Sequence, residues 1–409
     1  MMLEVYLFDS RVGVLTADRG HLEFTYAESV IADRDFPPLS VRLPKRSEPY
    51  GDAEARPFFE NLLPEAEFRR FIATTLRISE RNTAGLLGAI AGECAGAVSL
   101  WPQKTPRPTR TSYADLEEED LRDLLAVPDD SRLAEAQREG RLSLAGAQSK
   151  LALRRSSNCW QLPKHGSPST HILKRTRVNV PYLVENEFFC MRLAAMAGLP
   201  VPEVEYLDIG IPLLVVRRFD RVEVGDVIER VHQEDLCQAT GTVPADKYEV
   251  DGGPGLAACA QVIRDHSALP IADVPLFVRW VAFNYLVGNE DAHGKNVALL
   301  YTAEGVRLAP FYDLVSSIVY KGLSRKAAMS IGGERRYAYV EKRHWDEFAA
   351  ALGLSAVELW RLVLETADLV EGKLDDAERE ASDTFGPAEQ IESIARGTRS
   401  RVDIVRGRS

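Results

Sequence analysis

The stretch that most constrains this chain is Leu286-Val-Gly-Asn-Glu-Asp-Ala-His-Gly-Lys-Asn-Val-Ala-Leu-Leu300. A short polar turn carries an acid (Asp291), an imidazole (His293), an ammonium (Lys295) and an amide (Asn296) between two apolar runs. Apolar flanks bury, so the polar turn must be held at the rim of a core. Upstream, Pro275–Val287 has the composition of a buried helix, and downstream Val297–Tyr301 and Val306–Ala309 alternate as a hairpin around Glu304-Gly305. A helix–turn–hairpin at that place points to a mixed, α+β chain.

Asp291 and Asn296 stand at the spacing of a catalytic-loop base and a metal-binding amide in phosphoryl-transfer enzymes. Asp313, in Pro310-Phe-Tyr-Asp-Leu-Val-Ser316, follows across the hairpin as a second acid. An amide and a carboxylate supply the hard oxygens that magnesium needs between ATP phosphates. His293 has no histidine partners at ligand spacing, so it is read as orienting the loop or, with Lys295, touching ATP.

The other parts of such a site lie upstream. Ser143-Leu-Ala-Gly-Ala-Gln-Ser-Lys150 is a small-residue loop in which Ala145, Gly146, Ala147, Gln148, Ser149 and Lys150 would let backbone N–H groups approach a polyphosphate. It is neither a Walker loop nor a Gly-x-Gly-x-x-Gly loop. Lys174, on the strand Thr170–Arg175, is placed to reach the phosphates, with Glu185 or Glu187 on the following helix to hold it; Glu187 is preferred. The strand Leu213–Asp220 is where the chain would cross between lobes, and Val216, Arg217, Arg218 and Phe219 are the candidates for the adenine edge.

At 409 residues the chain has room for several cores, and its net charge of −11 argues against a surface built mainly for nucleic acid. Its five scattered cysteines lack metal spacing and suit reduced thiols in a cytoplasmic protein. Met1–Tyr6 shows no secretory leader, and no run suggests a membrane span.

Elsewhere the patterns predict strands at Leu3–Phe8, Arg11–Leu15, Leu22–Tyr26 and Leu39–Leu43. Helices are expected at Phe58–Leu63 and Phe68–Ile78, and a tight turn-and-strand segment over Ala84–Leu100. Leu116–Leu125 and Arg132–Gly140 read as surface helices. Val184–Ala195 reads as an amphipathic helix, and Val231–Ala239 as a helix with Glu234 and Asp235 in its first turn. Trp345–Leu352, Leu359–Leu374 and Asp376–Ser382 follow as separate helices, before a solvated, Arg-rich tail from Arg396 that includes Arg399, Arg401, Arg406 and Arg408. The division is residues 1–104, a linker and helix at 105–135, a small lobe at 136–219 and a large lobe at 220–409.

Ordered along the chain, these motifs resemble the HipA-type serine/threonine kinases, the toxins of bacterial toxin–antitoxin pairs. The match runs through Phe58-Phe-Glu-Asn-Leu-Leu-Pro-Glu65, Gly92-Glu-Cys-Ala-Gly-Ala97, Ser143–Gln148, Thr170–Lys174 and Arg218-Phe-Asp-Arg221. It continues through His232-Gln-Glu-Asp235, Lys247–Gly255, Asp291–Asn296 and Pro310–Asp313. The resemblance implies a two-lobed kinase fold with an added N-terminal subdomain. It implies Asp291 as base, Asn296 and Asp313 as magnesium ligands, Lys174 and the 145–150 loop on ATP, and Ser143 as a self-inactivating phosphorylation site. A helix-turn-helix antitoxin is the implied partner, with operator DNA reached through that complex. A translation protein such as an aminoacyl-tRNA synthetase is the implied target. Asn289-Glu290 stand where ordinary kinases have His-Arg, Leu314-Val315 where they have Phe-Gly, and no Ala-Pro-Glu follows, so control by a phosphorylated activation loop is not expected. The rival readings are an idle corepressor module acting with the antitoxin and a small-molecule kinase.

Overall fold

The computed structural model describes residues 1–126, 131–145, 150–157, 159–176 and 180–407. Two compact units emerge. One comprises Met1–Val178, Asp208–Ala245 and Leu300–Ala303; the other comprises Asn179–Leu207, Asp246–Leu299 and Glu304–Ser409.

The first unit begins with β1 (Met2–Leu7), β2 (Ser10–Asp18), β3 (His21–Tyr26) and β4 (Val98–Pro102), side by side in the order β3-β2-β1-β4. Alternation sets the inward face: Leu3, Val5 and Leu7 are buried, while Glu4 and Tyr6 between them are not. Gly13 is required on β2, because a Cβ there would lie 2.3 Å from the Thr25 carbonyl. The helix expected at Phe68–Ile78 is present as Ala66–Leu76 and buries Phe68, whereas the one expected at Phe58–Leu63 lies earlier, at Asp52–Glu60, where it buries Phe58 and Phe59 and leaves residues 61–63 in a turn.

Two expectations here are overturned. Leu39–Leu43 is no strand; only a Ser40–Leu43 bridge forms. Its backbone is taken by side chains instead: Leu39 N–H donates to the Tyr26 hydroxyl at 2.7 Å, and Val41 N–H to Glu234 at 2.9 Å. Ala84–Leu100 is not turn-and-strand throughout, since Thr83–Ile90 is a helix capped by the Asn82 side chain on Gly85 N–H. Burial on every side hid its period.

A second sheet contains β5 (Ser112–Leu116), β6 (Lys150–Ser156), β7 (Cys159–Lys164), β8 (His171–Arg175) and the strand Pro212–Arg217, in the order β5-β7-β6-β8 and then Pro212–Arg217. Helices Glu118–Leu124 and Ser131–Gly140 accompany it. The second is not simply solvated, for Leu133, Ala134 and Gln137 are buried and Gln137 donates to the Lys150 carbonyl at 3.1 Å.

Val231–Ala239 is corrected too. His232–Asp235 is a strand, and the helix is only Leu236–Thr240, with Asp235 as its N-cap. Glu234 is therefore not a dipole-complementing surface acid. Its buried carboxylate accepts from Ser40 Oγ, Val41 N–H and the Tyr301 hydroxyl. Burial pushes its carboxyl up to about 7, against the pull of those three donors. Ser40→Ala removes one donor and leaves that carboxylate under-satisfied. It should lower stability by about 1.5–3 kcal/mol, read as a shift in urea midpoint at unchanged slope.

The second unit is mainly helical. Pro270–Val287, expected from its apolar run, is buried over most of its length, including Trp280, Phe283 and Tyr285. The helix expected at Val184–Ala195 is present as Leu183–Met196, but it is buried from Val184 to Leu193 save Arg192 rather than amphipathic. The predicted break near 375 is absent: Ala356–Phe385 is one helix of 30 residues, started by a Ser355–Glu358 capping box. The tail also departs from expectation. Glu389–Val405 is a helix that buries Ile391, Ile394, Ala395 and Val402. Arg399 pairs with Asp375 and Glu378, and Arg406 with Asp368 and Glu371. Arg408 lies outside the described residues.

Candidate functional site

The helix Pro270–Val287 stops where Gly288 enters the left-handed region at φ 74°. Only glycine fits there, because a Cβ would meet Ile318 Cδ1 at 2.5 Å and Arg401 Nη2 at 2.7 Å. The following turn is then fixed bond by bond. Asn289 donates to Asn284 Oδ1 at 2.7 Å, and its carbonyl accepts from the Tyr337 hydroxyl at 3.0 Å. Glu290 N–H donates to Ser317 Oγ at 2.8 Å, while its carbonyl accepts from Ala328 N–H at 2.8 Å. Burial raises the Glu290 carboxyl above the ordinary glutamate range. Asp291, by contrast, is exposed, and its Oδ1 accepts from the Tyr248 hydroxyl at 2.8 Å.

His293 and Asn296 close a small capping box: His293 N–H donates to Asn296 Oδ1 at 3.1 Å, and Asn296 N–H to the His293 carbonyl at 2.9 Å. Both of these bonds use the His293 backbone rather than its imidazole. Lys295 is buried, and its carbonyl accepts from the Tyr312 hydroxyl at 2.7 Å. Asn296 Nδ2 donates to Asp313 Oδ2 at 3.3 Å. The two proposed metal ligands, 17 residues apart in sequence, thus meet. Asp313 sits at φ 55°, a conformation uncommon for a side-chain-bearing residue and least costly for Asp or Asn.

In the first unit, Lys150 on β6 and Lys174 on β8 are direct cross-strand partners, and both are buried. Ala145 precedes this pair; Gly146, Ala147, Gln148 and Ser149 lie outside the described residues. Ser143 is fully buried, its hydroxyl donating to the Leu62 carbonyl at 2.6 Å. Val216 and Arg217 end their strand opposite Ile172 and His171, and Phe219 is half-buried.

Arg218 has its guanidinium engaged elsewhere, bonding Asp220 at 2.7 Å, Glu93 at 3.1 Å and the Cys94 carbonyl at 2.9 Å. Its backbone N–H donates to Thr170 O at 2.9 Å. Glu185 and Glu187 are both buried on the helix Leu183–Met196 of the second unit.

Sequence reasoning missed Tyr248, Asn289, Tyr312 and Arg401. Arg401, treated as tail, donates from Nε to the Leu286 carbonyl at 2.8 Å, directly beneath the turn. No spacing rule could have found partners 43 or 115 residues away from what they touch.

Residues 3–101 match the family model described as the HipA N-terminal domain, and residues 142–374 the HipA-like C-terminal domain. This chain belongs to the HipA family. It is 41% identical to a putative kinase, Y4mE, of Sinorhizobium fredii, over 99% of this chain and 98% of that one. It is 31% identical to the serine/threonine-protein kinase toxin HipA of Shewanella oneidensis, over 82% of this chain and 79% of the relative. The solved HipA of Shewanella oneidensis MR-1, in complex with HipB and its operator DNA, superposes with a TM-score of 0.84 at 26% identity, covering 99% of both chains. The mixed α+β architecture is thus the HipA fold. Among the described residues no helix is long and apolar enough to cross a membrane.

Proposed function

We propose that this HipA-family chain is an ATP- and magnesium-dependent protein serine/threonine kinase, the toxin half of a cytoplasmic toxin–antitoxin pair. The observation that carries the reading is one turn that presents an exposed acid, Asp291, and brings Asn296 to within 3.3 Å of Asp313. In the reaction, the acceptor hydroxyl gives its proton to the Asp291 carboxylate as its oxygen bonds the γ-phosphorus. The bond from that phosphorus to the β-phosphate oxygen breaks, and ADP leaves. Asn296 and Asp313 supply the hard oxygens that suit magnesium, which when bound neutralises phosphate charge. Lys150 and Lys174, forced together across β6 and β8, are assigned to the phosphates.

The acceptor is placed in the translation machinery, such as an aminoacyl-tRNA synthetase, and the partner is a helix-turn-helix antitoxin. The Shewanella HipA solved with HipB and operator DNA supports the second assignment. With a net charge of −11, this chain is expected to meet operator DNA through that partner rather than alone.

Ser143 is assigned as the site of self-inactivation. Its hydroxyl is bonded and fully buried, so it can take a phosphoryl group only once the segment around it has come out of the core. A phosphoserine, with nearly two negative charges and no room at the Leu62 carbonyl, would keep the segment out. Incubation with labelled ATP and magnesium, followed by mass spectrometry, should place phosphate on Ser143, and Ser143→Ala should abolish that label. Label on every site but Ser143 would remove the self-inactivation; no transfer to any protein would remove the kinase.

A further inference from the structure

We infer that Tyr248 is the positioning residue of the proposed base: its hydroxyl holds Oδ1 of Asp291 and leaves Oδ2 to face the acceptor alcohol. The inference rests on the kinase reading above. Tyr248 donates to Asp291 Oδ1 at 2.8 Å, and among the described residues no other hydrogen bond reaches the Asp291 side chain. Because Asp291 is exposed, the second oxygen is accessible from solvent, the side from which a serine or threonine of another protein must come.

Tyr248 is braced rather than poised as a lid. The next residue, Glu249, donates from its N–H to the Ala328 carbonyl at 3.0 Å, and its carboxylate accepts from Ser330 Oγ at 2.9 Å and from Ser330 N–H. Ala328 N–H in turn donates to the carbonyl of Glu290, the neighbour of Asp291, at 2.8 Å. The circuit from Asp291 through Tyr248, Glu249 and Ala328 therefore returns to Glu290. The Tyr248 ring also lies edge-on to His293, with centroids 5.7 Å apart and planes at 71°. At the other end the turn closes on itself, Gly253 N–H donating to the Tyr248 carbonyl at 2.9 Å. A Cβ on Gly253 would sit 2.4 Å from the Asp246 carbonyl, so the closure needs glycine.

A carboxylate on a short side chain turns freely unless one oxygen is held, and a base that turns spends part of its time misaligned. Fixing one oxygen with a neutral donor keeps the negative charge on the carboxylate and leaves its partner oxygen aimed. Tyr248 thereby sets kcat through Asp291 while making no demand on the nucleotide.

Tyr248→Phe removes only the hydroxyl. It should lower kcat for phosphate transfer from MgATP roughly tenfold or more, with the KM for MgATP changed by less than about twofold. Amide exchange over residues 288–293, followed without nucleotide, should speed up in the variant while its thermal midpoint holds. An unchanged kcat, a fall in kcat matched by an equal loss of MgATP affinity, or unchanged exchange over that turn would overturn the proposal. Faster exchange in a chain whose wild type transfers no phosphate would uphold the brace and reject the kinase reading instead.

Discussion

Glu93→Ala is expected to cost the first unit about 3–5 kcal/mol. Glu93 is fully buried and carries three guanidinium partners: Arg221 at 2.8 Å, Arg230 at 2.8 Å and Arg218 at 3.1 Å. Arg218 and Arg221 share a second acid, Asp220, which also accepts from Gly96 N–H at 2.7 Å. Removing Glu93 leaves two buried guanidiniums, Arg218 and Arg221, and the partly exposed Arg230 facing one carboxylate. Glu93→Gln keeps the volume but not the charge, so it should be destabilising in the same direction. The measurement is the urea midpoint of each variant at neutral pH, and an unmoved midpoint for both would show that the cluster contributes nothing.

The same cluster gives a pH signature. Burial works to raise the Glu93 carboxyl, but Arg221, Arg230 and Arg218 overcome it and hold it at about 2. A carboxyl lowered in the folded chain adds stability above its unfolded value, near 4.5, and loses it as pH falls from there towards 2. His232 acts at milder acidity: burial lowers it to about 4, so stability falls as pH drops from about 6.5 to about 4. Glu234 works the other way: its carboxyl, raised to about 7, adds stability as pH falls from about 7 towards 4.5 and so offsets His232 there. Urea midpoints followed downward from neutral pH should therefore decline mainly below about pH 4.5, and that decline should shrink in Glu93→Gln.

Much of this architecture was legible because its cues are local. Alternation in Leu3–Phe8 and Leu22–Tyr26 fixes both strands and their buried faces, and the helix–turn–hairpin around Asp291 follows from apolar flanks and a Glu304-Gly305 turn. What was illegible is set by long-range partners. Glu234 looks like a first-turn acid until Ser40 and Tyr301 surround it. Thr83–Ile90 is buried on nearly all sides, so no polar stripe marks its period. Arg401 reads as part of a charged tail because helix Glu389–Val405 earns its burial from neighbours the local pattern does not reveal. In the candidate site, the residue types and their spacing were readable, as was the expectation that Asn296 and Asp313 act together. The bonds that aim them were not: Tyr248, Asn289 and Tyr312 carry no motif that says what they touch.

The largest expected loss of activity comes from Asp291→Asn, roughly 10²–10⁴-fold in phosphate transfer. The substitution suits the site. Asp291 is exposed, its one side-chain hydrogen bond among the described residues comes from Tyr248, and an asparagine oxygen can accept the same bond. Fold and loop should therefore persist, while the charge that would receive the acceptor's proton is gone. Asn296→Ala is a less clean test, because Asn296 also accepts from His293 N–H and donates to Asp313, so its loss would disturb the turn as well as any metal. The two variants should separate by what they bind: Asp291→Asn retains MgATP affinity and loses turnover, whereas Asn296→Ala loses magnesium-dependent ATP affinity too. Calorimetric titration of MgATP beside a single-turnover assay makes the comparison. Wild-type transfer rates in Asp291→Asn would reject this carboxylate as the base, because nothing else about the side chain has changed.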